Sequence, residues 1–364
     1  MRRLLLIIIG TLILVSLILA GCSQASTPTP TAKPPPASTS APSVTSAPPA
    51  TSPPPTAAPP AGAIELKAVT FLPKQSFSVK SLFPLMERVN DQTGGKVKIT
   101  YLGGPEVMPP PQQAESVRNN VVQMALVPFE YYEALTKMGN MGQLSLLTPD
   151  EERQSGAYDY MNELHHKVGL HLLWRATAMS EPQYFWFITN KKISKPQEFA
   201  GQKIGASSTW PNPFLLKVGA TPVQVQITEF YTNLERKVID GVADPITNHM
   251  TFQLYQVCKY VIDRGVGQGA LAIIVNLDTW NKIPKELQNQ ITEIAAQVVR
   301  EYALDMDKEV LKAKQTAKDN AMEFIKFSPE DEKWFVDTHY AESWAVNISK
   351  YPEVAPKMRQ LMSK

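Results

Sequence analysis

Cysteine is almost absent from this chain: only Cys22 and Cys258 occur in 364 residues. With so few, no disulfide framework and no Cys-based metal site can be built. No second long apolar run follows residue 20, so the chain forms no channel of its own. An excess of one charge is missing too. Lys and Arg total 36 against 34 Asp and Glu, and Arg2, Arg3 and Lys33 are the only charged residues before position 63. Beyond that point 33 basic residues face 34 acidic ones, which argues against nucleic acid or an anionic membrane face as partner. Catalytic signatures are equally scarce. There is no G-x-S-x-G elbow, no G-x-x-x-x-G-K phosphate loop and no H-E-x-x-H pair. Gly265, Gly267 and Gly269 alternate without dinucleotide spacing, which suits a loop or bulge, and His165, His166 and His171 lack a completing Cys or carboxylate. Neither an enzyme, nor a cofactor, nor a bound metal is expected.

What is present begins with an export signal. Arg2 and Arg3 precede an apolar run from Leu4 to Ala20, and Leu19-Ala20-Gly21-Cys22 closes it. This pattern matches a lipoprotein signal peptide over 1–21, cleaved before Cys22, which then carries lipid. Residues 23–62 hold 13 of the 31 prolines and neither an acidic nor an aromatic residue. Ser, Thr, Ala and Pro in that mixture bury too little apolar area to offset ordering entropy, so 22–62 is expected to be a lipidated, disordered tether. The remaining 63–364 exceed the usual size of one core, and two lobes are the expectation.

Within that domain, strand and helix patterns alternate. Glu65 to Leu72, Lys96 to Tyr101, Val121 to Val127, Leu170 to Trp174, Tyr184 to Thr189, Lys203 to Ser207, Thr221 to Val225 and Ala270 to Val275 have strand character, with helical patterns between them. This is α/β sequence. Thr148-Pro149-Asp150-Glu151 is a strong helix start, predicting one helix to about Lys167, and Ser328-Pro329-Glu330-Asp331 is another. From Pro284, apolar residues at Leu287, Ile291, Ile294, Ala295, Val298, Tyr302, Met306, Val310 and Leu311 keep a helical period for almost 40 residues. Such a helix is too long for one lobe and should cross both. The resulting division is lobe 1 over about 63–185, lobe 2 over about 186–283, the long helix over about 284–322 and C-terminal helices over about 328–364.

Ligands of α/β lobes gather at the carboxyl ends of strands and at helix N-termini. Trp174-Arg175, Trp210-Pro211 and Asp244-Pro245 all follow strand patterns and are candidates for such a site.

The order of several segments then resembles a known family. Phe199-Ala200-Gly201-Gln202-Lys203-Ile204, Val218-Gly219-Ala220-Thr221-Pro222-Val223, Glu229-Phe230-Tyr231 and Val238-Ile239-Asp240-Gly241-Val242 are similar to the DctP-type solute receptors of TRAP (tripartite ATP-independent periplasmic) transporters. Phe71-Leu72-Pro73, Gln92-Thr93-Gly94-Gly95-Lys96-Val97 and Ala114-Glu115-Ser116-Val117-Arg118 agree, and the likeness covers roughly residues 65–325. It implies a two-lobed, periplasmic-binding-protein-like (Venus flytrap) fold with a long bridging helix. It also implies capture of a small, carboxylate-containing organic solute and its delivery to TRAP membrane permease subunits, at the outer face of the cell membrane. A ligand-sensing receptor for a signalling partner is the alternative. On this reading Arg175 contacts the anionic group beside Trp174, Trp210 walls the cleft, and Asp244 and Glu130 accept hydrogen bonds from ligand hydroxyls or amines. One departure stands out. Gly205 occupies the position where the family usually has an arginine for the substrate carboxylate, so either Arg175 or Lys203 supplies that cation or the ligand is not an ordinary monocarboxylate.

Overall fold

The computed structural model describes residues 62–176 and 182–363. The signal segment, Cys22 and nearly all of the tether lie outside these residues.

Two sheets carry the domain. In the first, β1 (Ile64–Thr70) pairs in parallel with β2 (Val97–Gly103) and β3 (Met124–Pro128), while β4 (Leu170–Ala176) forms an edge. The second contains β5 (Phe185–Thr189), β6 (Lys203–Ala206), β7 (Thr221–Gln224), β8 (Gly241–Pro245) and β9 (Tyr260–Ile262). β10 (Leu271–Asn276) returns to the first sheet and lies antiparallel between β3 and β4. β11 (Glu323–Ile325) returns to the second and pairs with β9. The orders are β2-β1-β3-β10-β4 and β11-β9-β5-β8-β6-β7.

The expected division into consecutive lobes is corrected by β10. Leu-Ala-Ile-Ile-Val-Asn is apolar on both faces and every residue of it is buried, so it belongs in the middle of a sheet covered on both sides. The centre of the first sheet, between β3 and β4, is the place that covers it. Side-chain alternation shows both faces in use. Leu126, Ile273 and Val275 point into one apolar cluster, and Ala125, Val127, Ala272 and Ile274 into the other. The second of these is closed by Trp344, Met358 and Met362 from the C-terminal helices Pro329–Lys350 and Ala355–Met362.

A helix over Lys285–Asp319 bridges the lobes, as its period implied. Its 35 residues span about 52 Å at 1.5 Å per residue. It packs on β4 and on the helix Leu82–Gln92 of the first lobe, and on the helix Ile246–Thr251 of the second. Tyr302 sits midway, its ring stacked on Phe77 at 5.7 Å and edge-on to Trp174 at 5.7 Å. The buried stripe ends on Ala313 and Ala317, whereas Leu311 is 68% exposed. Small residues at the end of the stripe let the helix lie close to the second lobe.

The helix expected over 149–167 is two helices. Thr148 forms the capping box foreseen in the sequence: its Oγ1 accepts from Glu151 N at 3.3 Å, and Glu151 Oε2 accepts from Thr148 N at 2.8 Å. The chain then breaks at Gly156, whose φ of +80° is cheap for glycine and costly for other residues. A second helix runs from Ala157 to His166.

This break places Glu152 under β4, where it meets Arg175. The guanidinium Nε donates to Glu152 Oε2 at 3.0 Å, Nη2 donates to Oε1, and Nη1 donates to the Gly269 carbonyl at 2.8 Å. Both side chains are almost wholly buried. Removing one partner leaves a buried charge without its mate, at a cost of roughly 3–5 kcal/mol. Arg175→Met should therefore lower the urea unfolding free energy by about that amount. Adding Glu152→Gln should recover a large part of the loss, and a single-variant loss under about 1 kcal/mol would show that the pair does not hold this corner of the lobe.

Candidate functional site

The carboxyl ends of four parallel strands converge on one hollow between the lobes. Phe71 and Leu72 follow β1, Glu130 and Tyr131 follow β3, Ser207 and Ser208 follow β6, and Asp244-Pro245 end β8. The antiparallel strands begin at the same edge, contributing Tyr184 and Phe185 from β5 and Ala270 and Leu271 from β10. The hollow has a volume of about 60 Å³. At roughly 10–15 Å³ per water, that holds several water-sized groups. Broader hollows exist on the surface, such as one of about 400 Å³ beside Arg264, Lys326 and Glu332, but that one is a groove along the start of the helix Pro329–Lys350. The smaller hollow is the one walled by both sheets.

Two carboxylates face it, one from each lobe. Asp244 is 2% exposed; its Oδ1 accepts from Ser207 Oγ at 3.2 Å and its Oδ2 from Asn248 Nδ2 at 2.8 Å. Glu130 is partly exposed and accepts from Gln143 Nε2 at 3.3 Å, and Ser208 of the second lobe lines the same hollow. Desolvation dominates at both. It pushes Asp244 up to about 7 against the pull of its Asn248 and Ser207 hydrogen bonds, with the Glu130 charge adding to the rise. The same effect pushes Glu130 up to about 7, against Ser208 and Gln143 and reinforced by the charge on Glu133.

Aromatic rings complete the walls. Tyr131 lies edge-on to Phe71 at 6.3 Å, and Tyr184 edge-on to Phe185 at 4.9 Å. Behind them Trp210 stacks on Phe185 at 4.2 Å, and its indole N–H finds no partner among the described residues.

Of the residues singled out from the sequence, the structure brings Glu130 and Asp244 together. Trp210 supports the wall from one layer back. Trp174 is 1% exposed and packs against the long helix through Tyr302. Arg175 is not among the described residues that line the hollow. Expected to contact a ligand anion, Arg175 instead gives its guanidinium to Glu152 and the Gly269 carbonyl, on the side of β4 opposite to Trp174. Lys203 is exposed at the start of β6, away from the strand's carboxyl end. At Gly205 an added Cβ would meet Ile239 Cδ1 at 2.7 Å and Val242 Cγ1 at 3.3 Å, so the place of the usual arginine is filled by core.

Sequence reasoning missed Phe71, Tyr131, Gln143, Tyr184, Phe185, Ser207, Ser208 and Asn248 as lining. Most of them sit within two residues of a strand terminus, and that spacing alone would have found them.

With this geometry in hand, the chain can be set beside known proteins. Residues 68–345 match the family model DctP, described as bacterial extracellular solute-binding protein, family 7. A Haemophilus influenzae protein is 34% identical over 115 residues, which is 31% of this chain and 34% of that protein. The C4-dicarboxylate-binding periplasmic protein DctP of Rhodobacter capsulatus is 25% identical over 256 residues, covering 67% of this chain and 75% of that one. This chain thus spans about a third of the former relative's length and three quarters of the latter's. Among solved structures, a TRAP periplasmic solute-binding protein of Desulfovibrio salexigens with bound orotic acid superposes with a TM-score of 0.71 at 16% identity, covering 82% of this chain and 97% of that one. A Bordetella pertussis extracytoplasmic solute receptor that binds pyroglutamic acid gives 0.67 at 15% identity, covering 82% and 98%. These likenesses give the same two-lobed fold, and the match over most of the chain makes this protein a member of the bacterial extracellular solute-binding proteins, family 7.

Proposed function

We propose that the protein is the extracytoplasmic receptor of a TRAP-type secondary transporter. It closes its lobes on a small organic solute, of the organic-acid class bound by its relatives or closely related to it, and hands that solute unchanged to membrane permease subunits. The observation that carries this reading is the hollow itself, walled by strand ends of both sheets and spanned by one bridging helix. A ligand touching both walls is fully bound only when the lobes are together, so it shifts an open–closed equilibrium by its differential contacts. Lipid on Cys22 and the tether over 23–62 would hold the receptor beside the permease. At about 3.1 Å per residue the 40-residue tether reaches roughly 120 Å when fully extended, keeping the receptor's local concentration high.

Two experiments test the two halves of this reading. In a thermal-shift screen of the full chain in detergent against organic acids, keto acids, amino acids and amines, at least one solute should raise the midpoint by several degrees; stabilisation by none would contradict the receptor role. Separately, Cys22→Ser should move the protein from the membrane fraction to the soluble fraction. Retention of the variant in the membrane would show that another segment anchors it.

A further inference from the structure

We infer that the solute this cleft accepts carries a protonated amine, which seats between Glu130 of the first lobe and Asp244 of the second and draws the lobes together. The inference rests on the receptor reading and adds the chemical class of the cargo.

The lining is rich in acceptors and lacks a cation. No Lys, Arg or His is among the described residues around the hollow. Gln143 is 5% exposed and gives its Nε2 to Glu130, while its Oε1 has no hydrogen-bond partner among the described residues. One buried acceptor, the Gln143 oxygen, thus waits on a donor beside two carboxylates whose only described partners are neutral: Ser207 and Asn248 at Asp244, and Gln143 at Glu130. A carboxylate ligand would bring a third negative charge into a space that holds two. An ammonium brings several N–H donors and one positive charge, and the Phe71, Tyr131, Tyr184 and Phe185 rings offer faces and edges to a cation and its alkyl body.

Cation binding also explains why closure should need a ligand. Asp244 and Glu130 line the same hollow, and the Glu130 charge adds to the rise at Asp244. Among the described residues the other ionisable groups around the pair are Tyr131, Tyr184 and Glu133, none of them a base. With both carboxyls ionised, repulsion and desolvation oppose closure of the empty protein, and an ammonium between them removes both penalties.

The sign of the pH dependence follows. Both carboxyls titrate at about 7 in the folded protein, above the value of roughly 4 they have when unfolded. The stability they lend is thus complete below about pH 4 and is lost as pH rises through about 7. An ammonium selects the ionised pair, so its affinity must rise over the range in which the empty protein weakens. A carboxylate ligand would select the protonated pair and show the opposite trend.

Calorimetric titration of the full chain in detergent with matched probes decides the matter: putrescine against 1,4-butanediol, 4-aminobutyrate against butyrate, and ethanolamine against ethylene glycol. At least one amine should bind tenfold or more tighter than its partner, and roughly tenfold tighter at pH 8 than at pH 6. Glu130→Gln with Asp244→Asn should abolish that preference while raising the thermal midpoint of the empty protein at pH 8, a gain that a misfolded variant could not show. Butyrate binding as well as 4-aminobutyrate, with affinity rising toward low pH, would overturn the amine assignment and leave the receptor role standing. Binding of none of the six probes would overturn the assignment as well, and the broader screen would then decide whether the receptor role survives.

Discussion

Two carboxylates facing each other across a cleft are the constraint on which the rest of this molecule turns. Glu130 is carried by the loop after β3 and Asp244 by the end of β8, so each belongs to a different sheet. Like charges in a poorly solvated space repel, and desolvation penalises each one separately. A protein that spends stability in this way gains a device. The closed arrangement becomes favourable only when something supplies the missing positive charge or protons, and a receptor needs that dependence. A cleft already satisfied by an internal Lys or Arg would close when empty.

The described surroundings give the pair neutral hydrogen-bond donors and no cation. Arg175, the cation expected there from the sequence, is used elsewhere. The break at Gly156 brings Glu152 under β4, and the guanidinium is used there in a buried pair. Gly205 serves the same end differently. Ile239 and Val242 pack where a side chain would start, so no long basic residue can reach the cleft from β6 at that position without displacing core. Behind the aromatic wall, Phe185 and Trp210 stack and keep the pocket rigid on the side of the second lobe. The long helix lies against both lobes and limits how they move relative to each other.

Much of this was legible in the sequence. The apolar runs Val121 to Val127 and Ala270 to Val275 read as strands, which the structure places at Met124–Pro128 and Leu271–Asn276, and the helical period from Pro284 identified the bridge. Asp244 could be placed at a strand end because αβ alternation fixes which end of a strand faces a ligand, whereas Glu130 entered only with the family resemblance. Other features were hidden for identifiable reasons. The return of β10 to the first sheet is a long-range pairing that no local pattern encodes, so consecutive lobes were expected. Arg175 was misplaced because a strand period gives the side of a residue only relative to its neighbours. Which side holds a buried partner, here Glu152, depends on long-range packing. The aromatic lining escaped notice since each of Phe71, Tyr131, Tyr184 and Phe185 alone resembles an ordinary core residue.

The central claim is that the charge state of Glu130 and Asp244 controls lobe closure. Spin labels on the exposed positions Val121→Cys of the first lobe and Leu216→Cys of the second, in a Cys258→Ala background, would report the distance between lobes by pulsed electron–electron resonance. Without solute, raising the pH from 5 to 8 should shift the distribution toward a longer distance, and 4-aminobutyrate at pH 8 should restore the shorter one. A distribution indifferent to pH, or one shortened equally by butyrate, would contradict the account.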